Sequence, residues 1–511
     1  MKKLSAAIIF FVLSCALLLC ACKTRPEYVF NNVDRCEYNL TESGDHVADI
    51  DKEKYLSSAA APPADAVDIR DHGASPSASA SENAKAVNAA IRAAASGSGA
   101  VKVSAGRYYT GTVEMRSGVT LYLGEGAELS LPRYEERKAA DLDAALIKAE
   151  NAHGWGIIGP GTLNGQGTGY TEDADESSVY YPPEEFELKE RVLEARKRIR
   201  PRRDEGYNVI YARGCEDVKL SAFLIYEASI WTVNLENCDG VEIENLVIDN
   251  NIYVANSDGI DICSSSNVSI SDCFIATGDD GVVVKTKTGA ASNITVQNCE
   301  IMSLANNFKI GTETGFDVSG VSVSNCYFFT AECAGGYAGI AIESADGAHI
   351  SEVSVSDIVM DNVTSPLLIW LGCRLDEEYG SKNTMGAIDG VTIENIDANN
   401  IELPCAVVGC EYDGRRYKVK NASVRNVKAV YRDCYEDLHI YRGDKVLEAN
   451  MDGYPEITRV SHRYFISHAL SSYYDLPVYG IYVRDVENFV LENFSVTSRQ
   501  GNTRALTNFS A

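Results

Sequence analysis

An internal repeat limits the folds available to this chain more strictly than any other feature of its sequence. Segments with one shared pattern begin, in chain order, at Val218, Val241, Val268, Ile294, Val321, Val353, Val391 and, more weakly, Ala422. The steps between successive starts are 23, 27, 26, 27, 32, 38 and 31 residues. Steps in the twenties are typical of one turn of a β-solenoid, and the longer steps predict loops inserted into single turns.

Each repeat alternates apolar and polar residues, which is the period of a strand with one face inward. A second short β-rich segment precedes five of the copies, at residues 259–262, 281–285, 308–310, 339–343 and 366–370. Stacked turns of this kind predict an all-β fold, a single-stranded right-handed parallel β-helix. A leucine-rich repeat is the main alternative, but these units lack its leucine spacing and a helix in each turn.

Two positions of the repeat indicate how the turns stack. The fifth position is a small amide or acid at Asn245, Asp272, Asn298, Asn325, Asp357, Asn395 and Asn426. Such a side chain at a recurring bend can bond to neighbouring backbone and stack on its equivalents, so we assign these residues to structure. The chain has fifteen cysteines, and Cys273, Cys299 and Cys326 share one repeat position. We expect these three to be free core thiols.

The N-terminus has the features of an export signal. Met-Lys-Lys precedes an apolar run that is short for a membrane span and ends in Leu19-Cys20-Ala21-Cys22. This ending resembles a bacterial lipobox. We therefore expect a lipoprotein signal peptide at residues 1–21, lipid attachment to Cys22 and a position facing the periplasm or the cell surface, with plain secretion as the alternative. Residues 22–65 show no clear periodicity and predict a flexible tether.

The remaining chain, residues 66–511, is expected to form one catalytic domain. Ser81–Ala95 is predicted to be a helix with a capping serine and an alanine-rich face, suited to closing the exposed end of a solenoid. The repeat is broken at about 167–206 and 411–478, which we interpret as insertions. No metal spacing is apparent among the histidines of the second insertion, and no metal or other cofactor is expected.

The first insertion ends in a basic stretch, residues 188–203, that has helical character. Two interpretations stand: a solvated helix packed on the flank of the solenoid, or a lid that contributes Arg or Lys to an anionic sugar. The formal net charge of the chain is -27. A chain this acidic is a poor candidate for nucleic acid, and an acidic polymer would need locally basic subsites.

Four carboxylates crowd into one short part of the repeat region. Asn256-Ser-Asp258-Gly-Ile-Asp261 is followed, one repeat length later, by Thr277-Gly-Asp279-Asp280-Gly. Like charges held together repel and raise one another's pKa, so such crowding favours chemistry over stability. With turns roughly 4.8 Å apart, we expect Asp258, Asp279 and Asp280 to converge on an outward-facing, solvent-exposed trough. The spacing is within the range that glycosidase pairs require. Isolated Asp-Gly turns are the alternative.

These two acidic motifs resemble those of the polygalacturonase-like glycoside hydrolases, family 28. Residues 119–127 and 156–167 are similar to the N-terminal turns of that family. The resemblance implies an inverting glycoside hydrolase acting on a pectin-related or other acidic polysaccharide. It also implies that Asp279 is the general acid, while Asp258 and Asp280 hold and activate water.

Two motifs of that family are altered here. Asn306 stands where the family has histidine, and Ala341-Ile342-Glu343 stands where it has Arg-Ile-Lys for a substrate carboxylate. A glutamate would repel a uronate, although a lysine or the basic insertion could replace the missing charge. Trp370 is expected to stack on a sugar ring or to pack in the core. The residues expected to bind substrate are Asn256, Asp261, Lys285, Asn306, Lys309, Glu343, Trp370 and Arg374.

Two alternatives to a hydrolase remain open. The altered motifs fit a carbohydrate-binding β-helix without catalysis, and the fold also suits a polysaccharide lyase or an epimerase. In each case the expected partner is a polysaccharide or oligosaccharide, with membrane contact only through the lipid anchor.

Overall fold

The computed structural model describes residues 39–41, 45–173, 199–201, 206–330, 338–401, 404–431, 478–497 and 505–510. These residues all belong to one compact unit. Its strands wind into a parallel β-helix, which confirms the fold expected from the repeat. Successive repeats lie directly on one another: Val241 pairs with Val268, Val268 with Ile294 and Ile294 with Val321.

In the described part of the chain, one face of the solenoid is a sheet of twelve strands. Its members, in chain order, are Val113–Glu114, Ala145–Glu150, Asn208–Arg213, Val233–Glu236, Ile260–Cys263, Val282–Thr286, Phe308–Thr314, Ala338–Ser344, Ser365–Leu371, Cys405–Val408, Val478–Arg484 and Ala505–Ser510. This sheet contains the second short segment of each repeat. It also positions the candidate functional residues.

The other faces join in a second sheet, which has twenty-one strands among the described residues. Its members are Val67–Asp68, Ala100–Val103, Gly106–Tyr109, Thr120–Leu123, Ala127–Ser130, Gly156–Ile158, Thr162–Asn164, Glu216–Ser221, Leu224–Tyr226, Asp239–Glu244, Val247–Asp249, Ser266–Ser271, Phe274–Thr277, Ala291–Gln297, Glu300–Ser303, Val318–Phe329, His349–Asp361, Ala387–Ile401, Val419–Tyr431, Val486–Glu487 and Val490–Thr497. Two small antiparallel pairs, Thr171–Asp173 with Ile199–Pro201 and Cys410–Tyr412 with Arg415–Tyr417, complete the strands described.

The interior of the coil is filled by the apolar positions that the repeat predicts. Ile260, Val282, Phe308 and Ile340 stack in register across four turns and are fully buried. Cys273, Cys299 and Cys326 are buried free thiols in the same core, as expected. Removal of this much apolar surface from water is the main force that holds one turn on the next.

The small residues at the fifth repeat position form a hydrogen-bonded ladder along one corner. Asn325 Nδ2 donates to Asn298 Oδ1 over 2.7 Å, and Asn298 Nδ2 donates to Asp272 Oδ1 over 3.2 Å. All three residues have φ between 51° and 56°, a left-handed conformation that Asn and Asp tolerate better than most residues. The structural assignment of these acids and amides is therefore supported. A second ladder, in which Asn293 donates to Asn267 over 2.6 Å, was not expected.

The described chain contains two α-helices, Lys52–Leu56 and Ala80–Ala95. The longer one begins one residue before its expected start, because the cap is Ser79, whose side chain forms a reciprocal capping box with Glu82. Its buried residues pack with the first strands of the coil. Short 3₁₀ helices occupy Ile69–His72, Tyr134–Ala139, Gly167–Tyr170 and Glu377–Tyr379. Within the described ranges, no helix has the length and apolar character needed to cross a membrane.

The structure differs from the expected tether and insertions in three places. Residues 45–56 fold back onto the coil instead of forming part of a flexible tether, because His46 and Tyr55 are buried against it. Ile199–Pro201 is a strand, although the sequence predicts a basic helix there. Val419–Tyr431 continues the solenoid, so the second insertion begins after Tyr431. Cys22, the signal peptide and most of both insertions lie outside the described residues.

Candidate active site

Two turns that precede neighbouring strands bring the three aspartates together. Ile260 pairs with Val282, so the segments just before these residues lie on adjacent rungs. The Gly259 N–H donates to the Asp280 carbonyl over 2.9 Å, which joins the two turns directly. Asp258, Asp279 and Asp280 can each present one carboxylate oxygen within 4.8 Å of the others. The convergence expected from the repeat spacing is thus present.

Asp258 is held by a buried lysine that it shares with a second acid. Lys285 Nζ lies 3.1 Å from Asp258 Oδ2 and 2.6 Å from Asp261 Oδ1. The same ammonium lies 3.6 Å from Glu313 and 3.7 Å from the centre of the Trp231 ring. Asp258 Oδ1 is buried and makes no hydrogen bond with a described residue. Among the described residues, this aspartate therefore has one acceptor atom without a hydrogen-bond donor.

Asp280 is held by a different lysine and by the asparagine that replaces histidine. Lys309 Nζ lies 3.1 Å from Asp280 Oδ2. The Asn306 side chain and main-chain N–H both donate to Asp280 Oδ1, over 2.7 and 3.2 Å. Asn306 Oδ1 accepts from the Ala338 N–H over 3.2 Å, which fixes the orientation of the amide. Asn306 thus positions Asp280, although it was expected to contact the substrate.

Asp279 is the member of the three that solvent reaches. Its side chain accepts from the main-chain N–H of Asn256 over 3.2 Å and from that of Asp280 over 3.1 Å. The carbonyl of Asp279 accepts from Ser303 Oγ over 2.6 Å. Asn256 has φ of 60° and an exposed side chain, so it can both support Asp279 and face a substrate. The loop that contains Asp258 therefore also positions Asp279.

The expectation of a fully exposed trough is wrong for most of these residues. Asp258 is 2 % exposed, Asp280 is 3 % exposed and Asp261 is fully buried. The other residues expected on the outer face are buried as well, namely Val283, Lys285, Lys309, Ala341 and Glu343. Asp258, Asp261 and Asp280 can be buried because each is paired with an ammonium, which offsets part of the cost of losing water.

Burial and pairing shift the pKa values of this cluster in different directions. Burial, supported by the neighbouring aspartates, holds the pKa of Asp258 well above its usual range although Lys285 opposes the shift. Burial likewise raises the pKa of Asp261 to about 7. For Glu313, burial alone would raise the pKa, but Lys285 and Lys287 outweigh it and lower the pKa to about 2. One ammonium cannot fully stabilise two buried carboxylates, so the cluster keeps a proton near neutral pH.

Trp370 and Arg374 lie beyond the centre. Trp370 pairs in register with Glu343 and is 1 % exposed, so it packs within the fold rather than presenting a ring to solvent. Arg374 Nε donates to Asp346 Oδ1 over 2.9 Å, and its guanidinium lies 4.3 Å from the Tyr379 ring centre. Both side chains are thus engaged within the chain.

The positive charges described around this centre are engaged with carboxylates. Lys285, Lys309 and Arg374 have the partners given above, and Lys287 Nζ lies 3.0 Å from Glu313. Each of these four cations therefore already has a carboxylate partner. The three aspartates could also supply ligands to a metal ion, but an acidic cluster alone does not make a metal site, and Lys285 and Lys309 already supply positive charge there.

Sequence reasoning missed two members of the site, Trp231 and Glu313. Since Val233 pairs with Ile260, Trp231 stands one rung before Asp258 at the equivalent position. Glu313 lies on the strand of Lys309, four residues later, but the strand shifts register between Ile310 and Thr314, so regular alternation does not place its side chain. The 27-residue spacing from Trp231 to Asp258 was a signal that could have identified Trp231, whereas no comparable signal points to Glu313.

Comparison with known proteins gives one consistent result. The sequence model of "Glycosyl hydrolases family 28" matches residues 98–406. An endo-polygalacturonase of Pectobacterium carotovorum subsp. carotovorum is 27% identical over 289 residues, which are 53% of this chain and 67% of that protein. A probable polygalacturonase of Arabidopsis thaliana is 32% identical over 164 residues, which are 31% of this chain and 34% of that protein.

Solved structures agree on the fold. An exopolygalacturonase from Thermotoga maritima has a TM-score of 0.56 at 20% identity, over 74% of this chain and 90% of that one. A family 28 exopolygalacturonase from Yersinia enterocolitica also has a TM-score of 0.56, at 18% identity over 87% of this chain and 76% of that one. This chain matches the Arabidopsis thaliana polygalacturonase named above over only about a third of that protein's length. The family match covers more than half of the chain, and the chain belongs to glycosyl hydrolases family 28.

Proposed function

We propose that this protein hydrolyses a glycosidic bond in a pectin-related polysaccharide with inversion at the anomeric carbon. Family membership supports the reaction class, and the convergence of Asp258, Asp279 and Asp280 within 4.8 Å supports its location. This distance joins nearest oxygens and is shorter than the roughly 6.5–9.5 Å between carboxyl groups in most inverting enzymes. The inverting outcome therefore rests on the family rather than on the spacing.

The burial of each aspartate suggests its role. Asp279 is the one that solvent reaches, so it delivers the proton to the leaving oxygen. Asp280, which contacts Lys309 and Asn306, accepts a proton from the attacking water. Asp258 Oδ1, which is buried and makes no hydrogen bond with a described residue, binds that water on its other side.

We also propose that the mature protein is exported and attached to the membrane through a lipid on Cys22. The basic and apolar leader followed by Leu19-Cys20-Ala21-Cys22 supports this proposal. Metabolic labelling with a fatty acid analogue tests it, because the label should enter the wild type and be absent from Cys22→Ala. Label in both proteins would refute it.

Release of reducing ends from a panel of purified polysaccharides tests the enzymatic proposal. The panel should contain polygalacturonate, methyl-esterified pectin and neutral plant polysaccharides, with ultraviolet absorbance recorded for unsaturated products. We expect hydrolysis of at least one member. Asp279→Asn should lower turnover about 10²–10⁴-fold, the usual contribution of a general acid, and should keep binding. An unsaturated product would indicate a lyase, and binding without turnover would indicate a binding protein.

A further inference from the structure

The chain before the first turn of the coil places a buried histidine beside the loop that supports the aspartates. Residues 39–41 and 45–56, called here the N-terminal strap, include a β-bridge between Leu40 and Val47 and the helix Lys52–Leu56. The strap also holds to the coil through Tyr55, which is 4 % exposed and whose hydroxyl lies 3.0 Å from Glu300. This segment is therefore part of the folded body.

His46 is the centre of the strap's contact with the coil. Its Nε2 lies 2.7 Å from Glu227 Oε1, and its Nδ1 lies 3.3 Å from Asp249 Oδ1. The ring stacks on Tyr226 at 4.7 Å, and the Tyr226 hydroxyl lies 3.2 Å from Nε2. His46 is 7 % exposed, and its two acids are 8 % and 3 % exposed. Removal of His46 takes from each of these two buried carboxylates the ion-pair partner they share.

The strap also touches the loop that follows Asp249. The Ile252 N–H donates to the Asp45 carbonyl over 2.9 Å. On the other side of this loop, the backbone of Gly278 packs so closely that an added Cβ would lie 2.6 Å from the Ile252 carbonyl oxygen. The loop thus lies between the strap and the turn that contains Asp279. Near the end of this loop, the Asn256 N–H donates to Asp279 Oδ2.

We propose that His46 is a positioning residue: through Asp249 and the Asp45–Ile252 hydrogen bond, it holds the loop 250–258 in the form that places Asp258 and Asp279. This inference rests on the proposed function for its effect on turnover, but not for its effect on the loop. Glu227 extends the same network, because its other oxygen accepts from the N–H and hydroxyl of Thr168 at the root of the first insertion.

The role proposed for His46 should depend on pH, because its ion pairs exist only while the imidazole is protonated. The charged and titratable groups around it are Glu227, Asp249, Tyr226, Asp45 and, 3.9 Å from Asp249, Lys52. Burial alone would lower the pKa of His46, but hydrogen bonds and charge from Asp249 and Glu227 outweigh burial and raise it from 6.5 to about 9. The ion pairs are therefore fully formed below about pH 6.5 and are lost as the pH rises through about 9.

Hydrogen exchange in the full chain tests the loop directly. In His46→Gln, amides 251–257 should exchange at least about tenfold faster, whereas His153→Gln, a control at an exposed histidine, should match the wild type. Turnover should fall about tenfold with KM unchanged, because a misplacement of about 1 Å can cost roughly a hundredfold. Unchanged exchange in the loop of His46→Gln would overturn the proposal.

A second variant keeps the proposal testable if His46→Gln does not fold. His46→Arg keeps a positive charge at every pH, so amides 251–257 should exchange as slowly as in the wild type. In the wild type we expect the protection of these amides to drop as the pH rises through about 9, and His46→Arg should not show this drop. A drop in protection of equal size in both proteins near pH 9 would also overturn the proposal. If the wild type hydrolyses nothing, the proposed function fails, while the exchange measurements still decide the role of His46.

Discussion

Replacement of Lys285 by methionine is the perturbation whose effect follows most directly from the site. The ammonium lies within 3.1 Å of both Asp258 and Asp261, and all three side chains are buried. Methionine keeps most of the side-chain volume and removes the charge. Loss of one partner of a buried ion pair costs about 3–5 kcal/mol, because the carboxylates stay in a poorly solvating interior. We expect a loss of this size in the free energy of unfolding at pH 8.

The cost should depend on pH in a direction that the pKa values fix. Asp261 has a pKa of about 7 in the folded protein, above the ordinary 3.8. A carboxyl with a raised folded pKa contributes stability below its unfolded pKa, and that contribution is lost as the pH rises through the folded value. Without Lys285 the pKa values of both aspartates rise further. At pH 5 the acids take up protons, so the destabilisation of Lys285→Met should be small there.

Thermal unfolding followed by fluorescence between pH 5 and 8 measures this effect, with Lys287→Met as the matched control. Lys287 also contacts Glu313, but it is partly exposed and makes no ion pair with the aspartates in the described structure, so its replacement should cost at most about 1 kcal/mol at either pH. Turnover should fall with Lys285→Met. Equal losses in the two variants, or a loss at pH 5 as large as at pH 8, would refute the account of a charge-balanced centre.

Three further predictions concern other parts of the structure. Asn306→Asp places a second carboxylate against Asp280, so the pH profile of turnover should shift to higher pH, whereas an unshifted profile would contradict the contact. Asn298→Ala should lower the free energy of unfolding by about 1–2 kcal/mol more than Asn298→Gly, because φ at this position is 56°; equal denaturation midpoints would contradict this. Glu343→Gln should lower KM for polygalacturonate about fivefold, roughly 1 kcal/mol of repulsion, and leave KM for methyl-esterified pectin unchanged. Equal changes on both substrates would exclude charge as the cause.

The architecture could be predicted from the sequence because each turn of a solenoid corresponds to one repeat of the sequence pattern. The starts at Val241, Val268, Ile294 and Val321 pair in the register that their spacing implies. The same arithmetic placed Asp258 beside Asp279 and Asp280. In such a fold, residues distant in sequence become neighbours when they occupy the same position of successive repeats, so no long-range information beyond the repeat is needed.

Burial and pairing could not be predicted in the same way. Alternation along a strand tells which side of the sheet Asp261 and Lys309 occupy, but not whether other groups cover that side. Asn306 looked like a lost catalytic group, and its role as a donor to Asp280 depends on side-chain geometry within about 3 Å. His46 lies in a segment without periodicity, and its contact with Glu227 spans 181 residues. No local pattern encodes such a pairing.

The configuration of the first product at its anomeric carbon tests the central claim most directly. Proton NMR during hydrolysis of a polysaccharide that the panel identifies should show the inverted anomer first, with mutarotation following. Asp279→Asn should abolish this signal while binding persists. A retained anomer, an unsaturated product, or undiminished turnover in Asp279→Asn would show that Asp258, Asp279 and Asp280 do not act as the inverting hydrolytic centre.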